Sequence, residues 1–311
     1  MAKLSVLIGC VMLWCGTALA DTSFDHEAVV TGVTGDRATC PDAPGHLWVV
    51  VHGEGDCIRY YGSMLDVGAQ TVFVSIHGDL PVTGENAKTR LPRLYRKWDS
   101  PAKMAARADG QRAEAGIDGP FVFVARPGLF GSTGFHTERR GQREVDLMNR
   151  ALDLLKQRYG ITQFHLSGQS GGGHIVASVL PLRRDVGCAV TSAGIVSVAQ
   201  RAMIQTGTRD IAGGHPYHDP VDHVDGLPGA PLRLLVIADP EDAVSPFAAQ
   251  EHYVGAAQKA GADVSLLTAK GTGARRHSLG TAGRVAMRLC AEGASVPEIQ
   301  SGIHRLTGMP G

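Results

Sequence analysis

Residues 163–174 constrain the fold more than any other stretch of the chain. They read as a short strand, a sharp turn with a serine at its tip, and the start of a helix. Gly168-Gln169-Ser170-Gly171-Gly172 matches GxSxG, a pattern in which the serine adopts a strained conformation between strand and helix. The flanking positions must be small, because side chains there would clash with the crossing backbone. Since 40 of the 311 residues are glycine, the pattern alone also fits an ordinary glycine turn.

The first 20 residues have the features of a cleaved signal peptide. Lys3 gives a positive start, residues 4–15 form an apolar run, and Ala18-Leu19-Ala20 fits the small-residue cleavage pattern. The run is too short to span a membrane. We therefore expect cleavage near Ala20, a periplasmic or secreted protein without a membrane anchor, and a single domain over residues 21–311.

Charge and cysteine content narrow the class of protein further. The 30 basic and 30 acidic residues balance, which argues against nucleic acid or a membrane surface as a partner. Outside the expected signal peptide remain Cys40, Cys57, Cys188 and Cys290, which suggest two disulfides in an exported protein. Zinc-type spacing of Cys and His is missing from the sequence, so we expect no metal and no cofactor.

Strands and helices alternate along most of the chain. Apolar runs predict strands at 46–52, 57–61, 71–76, 120–125, 163–167, 187–192, 232–238 and 263–267, and helices at 100–115, 144–159, 246–260 and 278–290. The first two strands form a hairpin, residues 82–100 read as a loop, and 195–230 are a small excursion. The pattern predicts an α/β fold with a mostly parallel sheet of about eight strands, helices on both faces and an antiparallel hairpin.

This succession, with the serine turn after the fifth strand, resembles the α/β-hydrolase superfamily over about residues 45–292. The resemblance implies a nucleophilic serine, an acid and a histidine in that chain order. A serine hydroxyl needs an imidazole to remove its proton, and the imidazole needs a carboxylate to hold its tautomer. Ser170 is the expected nucleophile.

The base is chosen among three histidines that follow a possible acid. His252 falls inside a predicted helix, and His304 lies in the tail beyond the last predicted helix. His277 lies in a glycine-rich loop after the last strand, which is where the resemblance implies the base. We therefore expect His277 to be the base, with an exposed loop histidine as the alternative.

The acid should follow the strand at 232–238. The loop there offers Asp239, Glu241 and Asp242. The resemblance favours Asp242, because it lies four residues before Pro246, which opens the next helix. Asp239 stays as the alternative, and the acids without a catalytic role are expected to form turns.

Two His-Gly pairs follow apolar strands and compete for the oxyanion loop. His52-Gly53 falls in the predicted hairpin turn. Counting back from Ser170 in the order implied by the resemblance reaches His77-Gly78 instead. We expect the backbone N–H groups of Asp79 and Gly171 to be the oxyanion donors, each typically worth about 2.7–4 kcal/mol in the barrier.

Other residues carry weaker signals. A cluster in the excursion fits a metal site or, more simply, a polar loop: His215, His218, Asp219, Asp222 and His223. Arg139 and Arg140, with His136, could receive an anionic substrate group or form a solvated surface. Trp48 and Trp98 are expected to pack in the core or at an edge. Cys188 begins a strand and Cys290 ends a helix at the face opposite the site, which favours pairing them and leaves Cys40 with Cys57.

The substrate class is the least constrained expectation. The excursion is too short for a separate lid domain, and residues 168–173 fit GxSxGG, which resembles peptidases of the prolyl-oligopeptidase type. Dienelactone-hydrolase-like enzymes and exported esterases are similar in size. The resemblance implies hydrolysis of carboxylic esters through an acyl-serine, or alternatively of short peptides. A non-catalytic binding protein on this fold is a remote alternative, whose usual sign is loss of a triad residue.

Overall fold

The computed structural model describes residues 23–66, 68–81, 84–208 and 216–309, so the expected signal peptide and His215 lie outside the described residues. The strands are β1 (His46–Val51), β2 (Glu54–Ser63), β3 (Thr71–Ile76), β4 (Phe121–Val124), β5 (Gln163–Gln169), β6 (Val186–Ser192), β7 (Arg233–Ala238) and β8 (Val264–Thr268). The helices are α1 (Ala28–Thr31), α2 (Gly84–Tyr95), α3 (Pro101–Ala115), α4 (Gln142–Tyr159), α5 (Gly171–Val179), α6 (Val198–Thr206), α7 (Phe247–Lys259), α8 (Gly280–Ala291) and α9 (Val296–Thr307).

The strands form one eight-stranded sheet over the described residues, in the order β1-β2-β4-β3-β5-β6-β7-β8. β1 and β2 pair antiparallel, as do β2 and β4, and the remaining neighbours pair parallel. The predicted mostly parallel sheet with an antiparallel N-terminal hairpin is therefore confirmed. Parallel strands place their carboxyl ends at one edge, so the loops after β3, β5, β7 and β8 meet there.

The sheet is buried on both faces because helices cover each of them. Successive strand residues alternate between the two hydrophobic clusters: Val122 and Val124 belong to one, and Phe121 and Phe123 to the other. The first cluster also holds buried residues of α4, α5 and α7, and the second those of α3, α8 and α9. Near-continuous apolar strands such as β4 follow from this double coverage.

Residues 84–95 form helix α2, so the prediction of a loop over 82–100 is wrong there. Leu91 and Tyr95, four residues apart, are both almost fully buried and fix one face of the helix. Pro92 lies inside the helix and has no N–H group to donate to a preceding carbonyl. The proline and the charged composition conceal the helix in the sequence, and tertiary packing of the apolar face overrides them.

The chain also continues into a further helix, α9, where the sequence predicted a tail. A capping box starts it, since the Ser295 N–H group donates to the Glu298 carboxylate over 2.7 Å. Ile299 and Ile303 are fully buried against the second hydrophobic cluster. The S-x-x-E pattern at 295–298 was the signal that could have predicted this helix.

Two disulfides join the four cysteines considered above. Cys188 of β6 pairs with Cys290 of α8, and Cys40 pairs with Cys57 of β2, so the preferred pairing is confirmed. The first bond ties the sheet to the helix layer on one face. Among the described residues, no helix is both long enough and apolar enough to cross a membrane.

We predict that the two disulfides stabilise the fold unequally. Their cysteines are 102 and 17 residues apart in the chain. A bridge that closes a long loop restricts the unfolded state more, by about 4.7 kcal/mol for roughly 100 residues against about 3 kcal/mol for roughly 15 residues. Urea unfolding without reductant should therefore show a larger loss of unfolding free energy for Cys188→Ala/Cys290→Ala than for Cys40→Ala/Cys57→Ala. An equal or reversed ranking would contradict the loop-length argument.

Candidate active site

Ser170 lies on the turn between β5 and α5. Its backbone has φ 54° and ψ −119°, a strained conformation for a residue with a side chain. The Ser170 N–H group donates to the Ser192 carbonyl over 3.0 Å, and the Ser170 carbonyl accepts from the N–H groups of His174 and Ile195. The neighbouring strand and its loop therefore hold the strained turn in place.

Two glycines beside the turn are required by contact with other backbone. A Cβ atom on Gly168 would lie 2.1 Å from the carbonyl oxygen of Gly172. A Cβ atom on Gly172 would lie 2.2 Å from the carbonyl oxygen of Ile76, at the end of β3. The start of α5 thus packs directly on the end of β3, and only glycine permits this approach.

His277 and Asp242 meet at the same edge of the sheet. The imidazole Nδ1 lies 2.8 Å from Oδ2 of Asp242, whose side chain is fully buried. Oδ1 of the same carboxylate accepts the N–H groups of Val244 and Ser245. A carboxylate can only accept here, so Nδ1 carries the proton and Nε2 has a free lone pair. Ser170 and His277 line one cavity of about 310 Å³.

Asp239, the alternative acid, has a different set of partners. Its buried carboxylate pairs with Arg276, at 2.7 Å to Nε, and accepts the N–H groups of Gly271 and Glu241. Burial alone would raise the pKa of the Asp239 carboxyl, but the Arg276 hydrogen bonds hold it below its ordinary value. Asp239 therefore holds the loop that carries His277 in position.

Gln169 connects the serine turn to the histidine loop. Its Nε2 donates to the His277 carbonyl over 2.6 Å, and its Oε1 accepts the Leu279 N–H group over 2.9 Å. The side chain next to Ser170 thereby fixes the backbone on both sides of Ser278. This link could not be predicted from the sequence, because the partners lie more than 100 residues apart.

The segment His77-Gly78 lies beside the serine. A Cβ atom on Gly78 would lie 3.1 Å from Cβ of Ser170. His77 donates from Nδ1 to the Gly78 carbonyl and accepts the Arg126 N–H group at Nε2, which fixes its neutral tautomer. His52 instead lies in the β1–β2 turn, with Nε2 3.1 Å from Asp146.

The Asp79 carboxylate pairs with arginines next to the serine turn. Oδ1 lies 2.7 Å from Nη1 of Arg126, and Oδ2 pairs with Arg140 and lies 3.5 Å from Nε of Arg139. Burial would raise the pKa of this carboxyl, but Arg140 and Arg126 hold it well below its ordinary range. Arg139 and Arg140 therefore neutralise Asp79, which was not anticipated for them. The same carboxylate lies where a Cβ of Gly171 would be.

Arg126 is fully buried and joins two carboxylates. Its Nε and Nη2 bind both oxygens of Glu144 in α4, over 2.8 and 3.1 Å, while its Nη1 binds Asp79. The second Glu144 oxygen also accepts the Arg140 N–H group over 2.6 Å. The guanidinium fork suits such two-sided pairing, and each buried charge here has a partner.

The other expected candidates lie elsewhere or have structural partners. His252 is in α7 with Nδ1 3.3 Å from Ser197 Oγ, and His304 is in α9 near Thr268. The Asp219 carboxylate accepts two N–H groups at the start of α6. His, Cys, Asp and Glu side chains form no metal-binding group in the part of the chain that the structure describes.

We predict that Gln169 positions His277. Gln169→Ala removes both hydrogen bonds to the histidine loop, so the loop that carries the imidazole is held less firmly beside the cavity that Ser170 lines. The rate at which a fluorophosphonate modifies Ser170 should fall by about 10-fold or more, because small displacements of a base are costly. Gln163→Ala, at the other end of β5, is the matched control and should react at the wild-type rate. Equal rates for the two variants would refute the positioning role.

Buried histidines around the site make stability depend on pH. Burial, and then Arg126, lower the pKa of both His77 and His136 well below 6.5, and burial lowers the pKa of His174 to about 3. These groups stay neutral in the fold while the unfolded chain takes up protons below about pH 6.5, so stability is lost as pH falls.

The three histidines determine how steeply the free energy of unfolding should change with pH. Each contributes at most about 1.4 kcal/mol per pH unit, so the free energy of unfolding should drop by more than about 2 kcal/mol between about pH 6 and pH 5. Urea unfolding at the two pH values measures this. His174→Gln should reduce the slope, and a slope that is flat or opposite in sign would overturn the argument.

Comparison with solved structures identifies the fold of the chain. Neither the scan of protein-family models nor the search of curated proteins finds a match. Among solved structures, the acylaminoacyl peptidase of Pyrococcus horikoshii is 16% identical with a TM-score of 0.51, over 80% of this chain. The chain spans only 40% of that protein. Est1E from Butyrivibrio proteoclasticus is 12% identical with a TM-score of 0.53, over 79% of this chain and 96% of Est1E. The chain has the α/β-hydrolase fold.

Proposed function

We propose that the protein is an exported serine hydrolase that cleaves carboxylic esters through an acyl-serine intermediate. One observation carries the proposal. Ser170, on its strained turn, lines the same cavity as His277, and the Nδ1 of His277 lies 2.8 Å from the buried Asp242 carboxylate. The solved structures with the same fold, an acylaminoacyl peptidase and Est1E, support a hydrolase.

The proposed reaction uses the three side chains in sequence. Nε2 of His277 takes the proton of Ser170 as Oγ attacks the ester carbonyl, and then gives it to the departing alkoxide. Water, deprotonated by the same nitrogen, then attacks the acyl-serine, and His277 returns the proton to Oγ of Ser170 as the bond to the acid breaks. Asp242 holds the Nδ1–H tautomer and stabilises the imidazolium that forms at each step.

The oxyanion would be held by backbone N–H groups. Gly171 is the first residue of α5, so its N–H group has no acceptor within the helix and lies at the positive end of the helix dipole. Asp79 follows Gly78, the residue that lies against Ser170, and we assign its N–H group as the second donor. Each donor is worth about 2.7–4 kcal/mol of barrier.

Esters are favoured over peptides as the substrate. Only about 40 residues separate β6 from β7, so no large lid lies between these strands. The structure of Est1E is described with ferulic acid bound, and a carboxylic acid is one product of ester hydrolysis. A peptidase is the second candidate, because the GxSxGG pattern and the acylaminoacyl peptidase of the same fold both support it.

Export to the periplasm or the medium is part of the proposal. The two disulfides support it, because such bonds persist in oxidising compartments. The mass of the protein recovered from an expressing cell should correspond to cleavage near Ala20. Recovery with residues 1–20 still attached would count against export.

The predicted activity is tested with short p-nitrophenyl esters beside peptide p-nitroanilides. Ser170→Ala and His277→Ala should each lower kcat for the esters by about 10³-fold or more, since the residues act as a unit. Asp242→Asn should lower it by about 10³- to 10⁴-fold through the wrong tautomer. Ser178→Ala, which removes a buried hydroxyl further along α5, is the matched control and should retain wild-type kcat.

The outcomes separate the candidates. Turnover of esters that Ser170→Ala abolishes supports the esterase, whereas cleavage of the anilides alone selects the peptidase. If the fluorophosphonate adds no mass to Ser170 and neither substrate is cleaved, the binding-protein alternative replaces both.

A further inference from the structure

The cavity beside Ser170 also contains two arginines that the proposed reaction does not use. Arg107 of α3 and Arg284 of α8 both line it. Both also line a second cavity of about 510 Å³, which shares several lining residues with the first. Both arginines therefore border a space that Ser170 also borders.

Arg107 has no carboxylate partner among the described residues. Its guanidinium lies over the ring of Trp98, 3.8 Å from the centroid, with Phe123 and Phe130 at 4.9 and 5.5 Å. These cation–π contacts hold the guanidinium near the rings but supply no acceptor for its N–H groups. Nη1 is buried without an acceptor. Burial, and then Arg284, lower the pKa of Arg107 to about 10, so the side chain is charged at neutral pH.

Arg284 is a second positive side chain, and a carboxylate already balances its charge. Its Nη2 binds the Glu114 carboxylate over 2.8 Å, while its Nε is buried without an acceptor. Gly280 leaves space beside it, since a Cβ atom there would lie 3.3 Å from Nη1. Of these two arginines, therefore, Arg284 has a carboxylate partner and Arg107 has none among the described residues.

A partly buried charge without a partner is costly unless a ligand supplies the opposite charge. A carboxylate carries one negative charge and fits a guanidinium with two parallel hydrogen bonds. A phosphate monoester carries nearly two charges and would exceed what Arg107 leaves unbalanced. Arg139 and Arg140, the arginines that the sequence suggested for an anion, already bind Asp79.

We propose that this cavity selects esters that carry a second, free carboxylate, with Arg107 binding the carboxylate and Arg284 adding to the positive potential. The proposal rests on the proposed function, because the carboxylate is held next to the ester that Ser170 attacks. It deepens that function by giving the chemical class of the substrate.

The kinetic test uses pairs of esters that differ only in charge. Monoethyl glutarate is compared with ethyl glutaramate, in which an amide replaces the carboxylate on the acyl side. O-butanoyl lactate is compared with O-butanoyl lactamide, which places the change on the alcohol side. In at least one pair the carboxylate ester should have the higher kcat/KM, by about 10- to 100-fold.

Substitutions of Arg107 should change this ratio. Arg107→Gln is expected to lower it by about 10- to 100-fold, and Arg107→Lys, which keeps the charge but not the fork, should keep part of the preference. Lys103→Gln removes a charge from the exposed side of the same helix and should leave the ratio unchanged. A wild-type ratio near or below one in both pairs, or an Arg107→Gln variant with the wild-type ratio, would overturn the proposal.

A binding measurement separates this proposal from the proposed function. Ser170→Ala should bind the glutaramate anion about 10-fold more tightly than neutral glutaramide by calorimetry, and adding Arg107→Gln should abolish the difference. If no ester is hydrolysed but this difference is found, the reaction is wrong and the carboxylate site stands. If esters are hydrolysed and no difference is found, the carboxylate site is wrong.

Discussion

The close backbone contact between α5 and β3 is the constraint on which the rest of the site depends. Gly172 lets the start of α5 lie against the carbonyl of Ile76, where any Cβ atom would lie 2.2 Å from the oxygen. The same contact sets Ser170 at φ 54° and brings Gly78 next to it. Ser170, the proposed nucleophile, and the segment proposed to hold the oxyanion are thus positioned together, so neither can shift without the other.

Buried charge underlies this contact and ties it to α4. Arg126 joins Asp79, next to the serine turn, to Glu144 of α4, and it is fully excluded from water. Removing one partner from such a network leaves an unpaired buried charge, which is far more destabilising than the network is stabilising. We infer that the network serves to fix the position of the 77–79 segment. Its carboxylate is neutralised by arginines, so the negative charge would not oppose the oxyanion that we propose beside Gly171.

Periodicity and chain order predicted most of the fold, because apolar strands and amphipathic helices follow from burial on one or two faces. These two patterns failed to predict helices where the local sequence signals conflict with the tertiary packing. Pro92 concealed α2, although Leu91 and Tyr95 are buried, and the capping box at Ser295 was overlooked. The expected nucleophile, acid and base could be named from the sequence and lie at one edge of the sheet. The role of the side chains around them could not be predicted from the sequence, because Gln169 and its partners are brought together only by the tertiary fold.

The two aspartates after β7 show why one choice needed the structure. Both lie in the same turn-forming loop, both are buried, and composition does not distinguish them. Asp239 binds Arg276 and the backbone of Gly271, so it fixes the loop that leads to the histidine. Asp242 reaches the imidazole itself. If His277 is the base, as we propose, it needs both carboxylates, because Asp242 aligns its imidazole and Asp239 holds the backbone of its loop. The resemblance, through the spacing to Pro246, favoured Asp242 and left Asp239 open, and only the hydrogen bonds explain why Asp239 is present beside it.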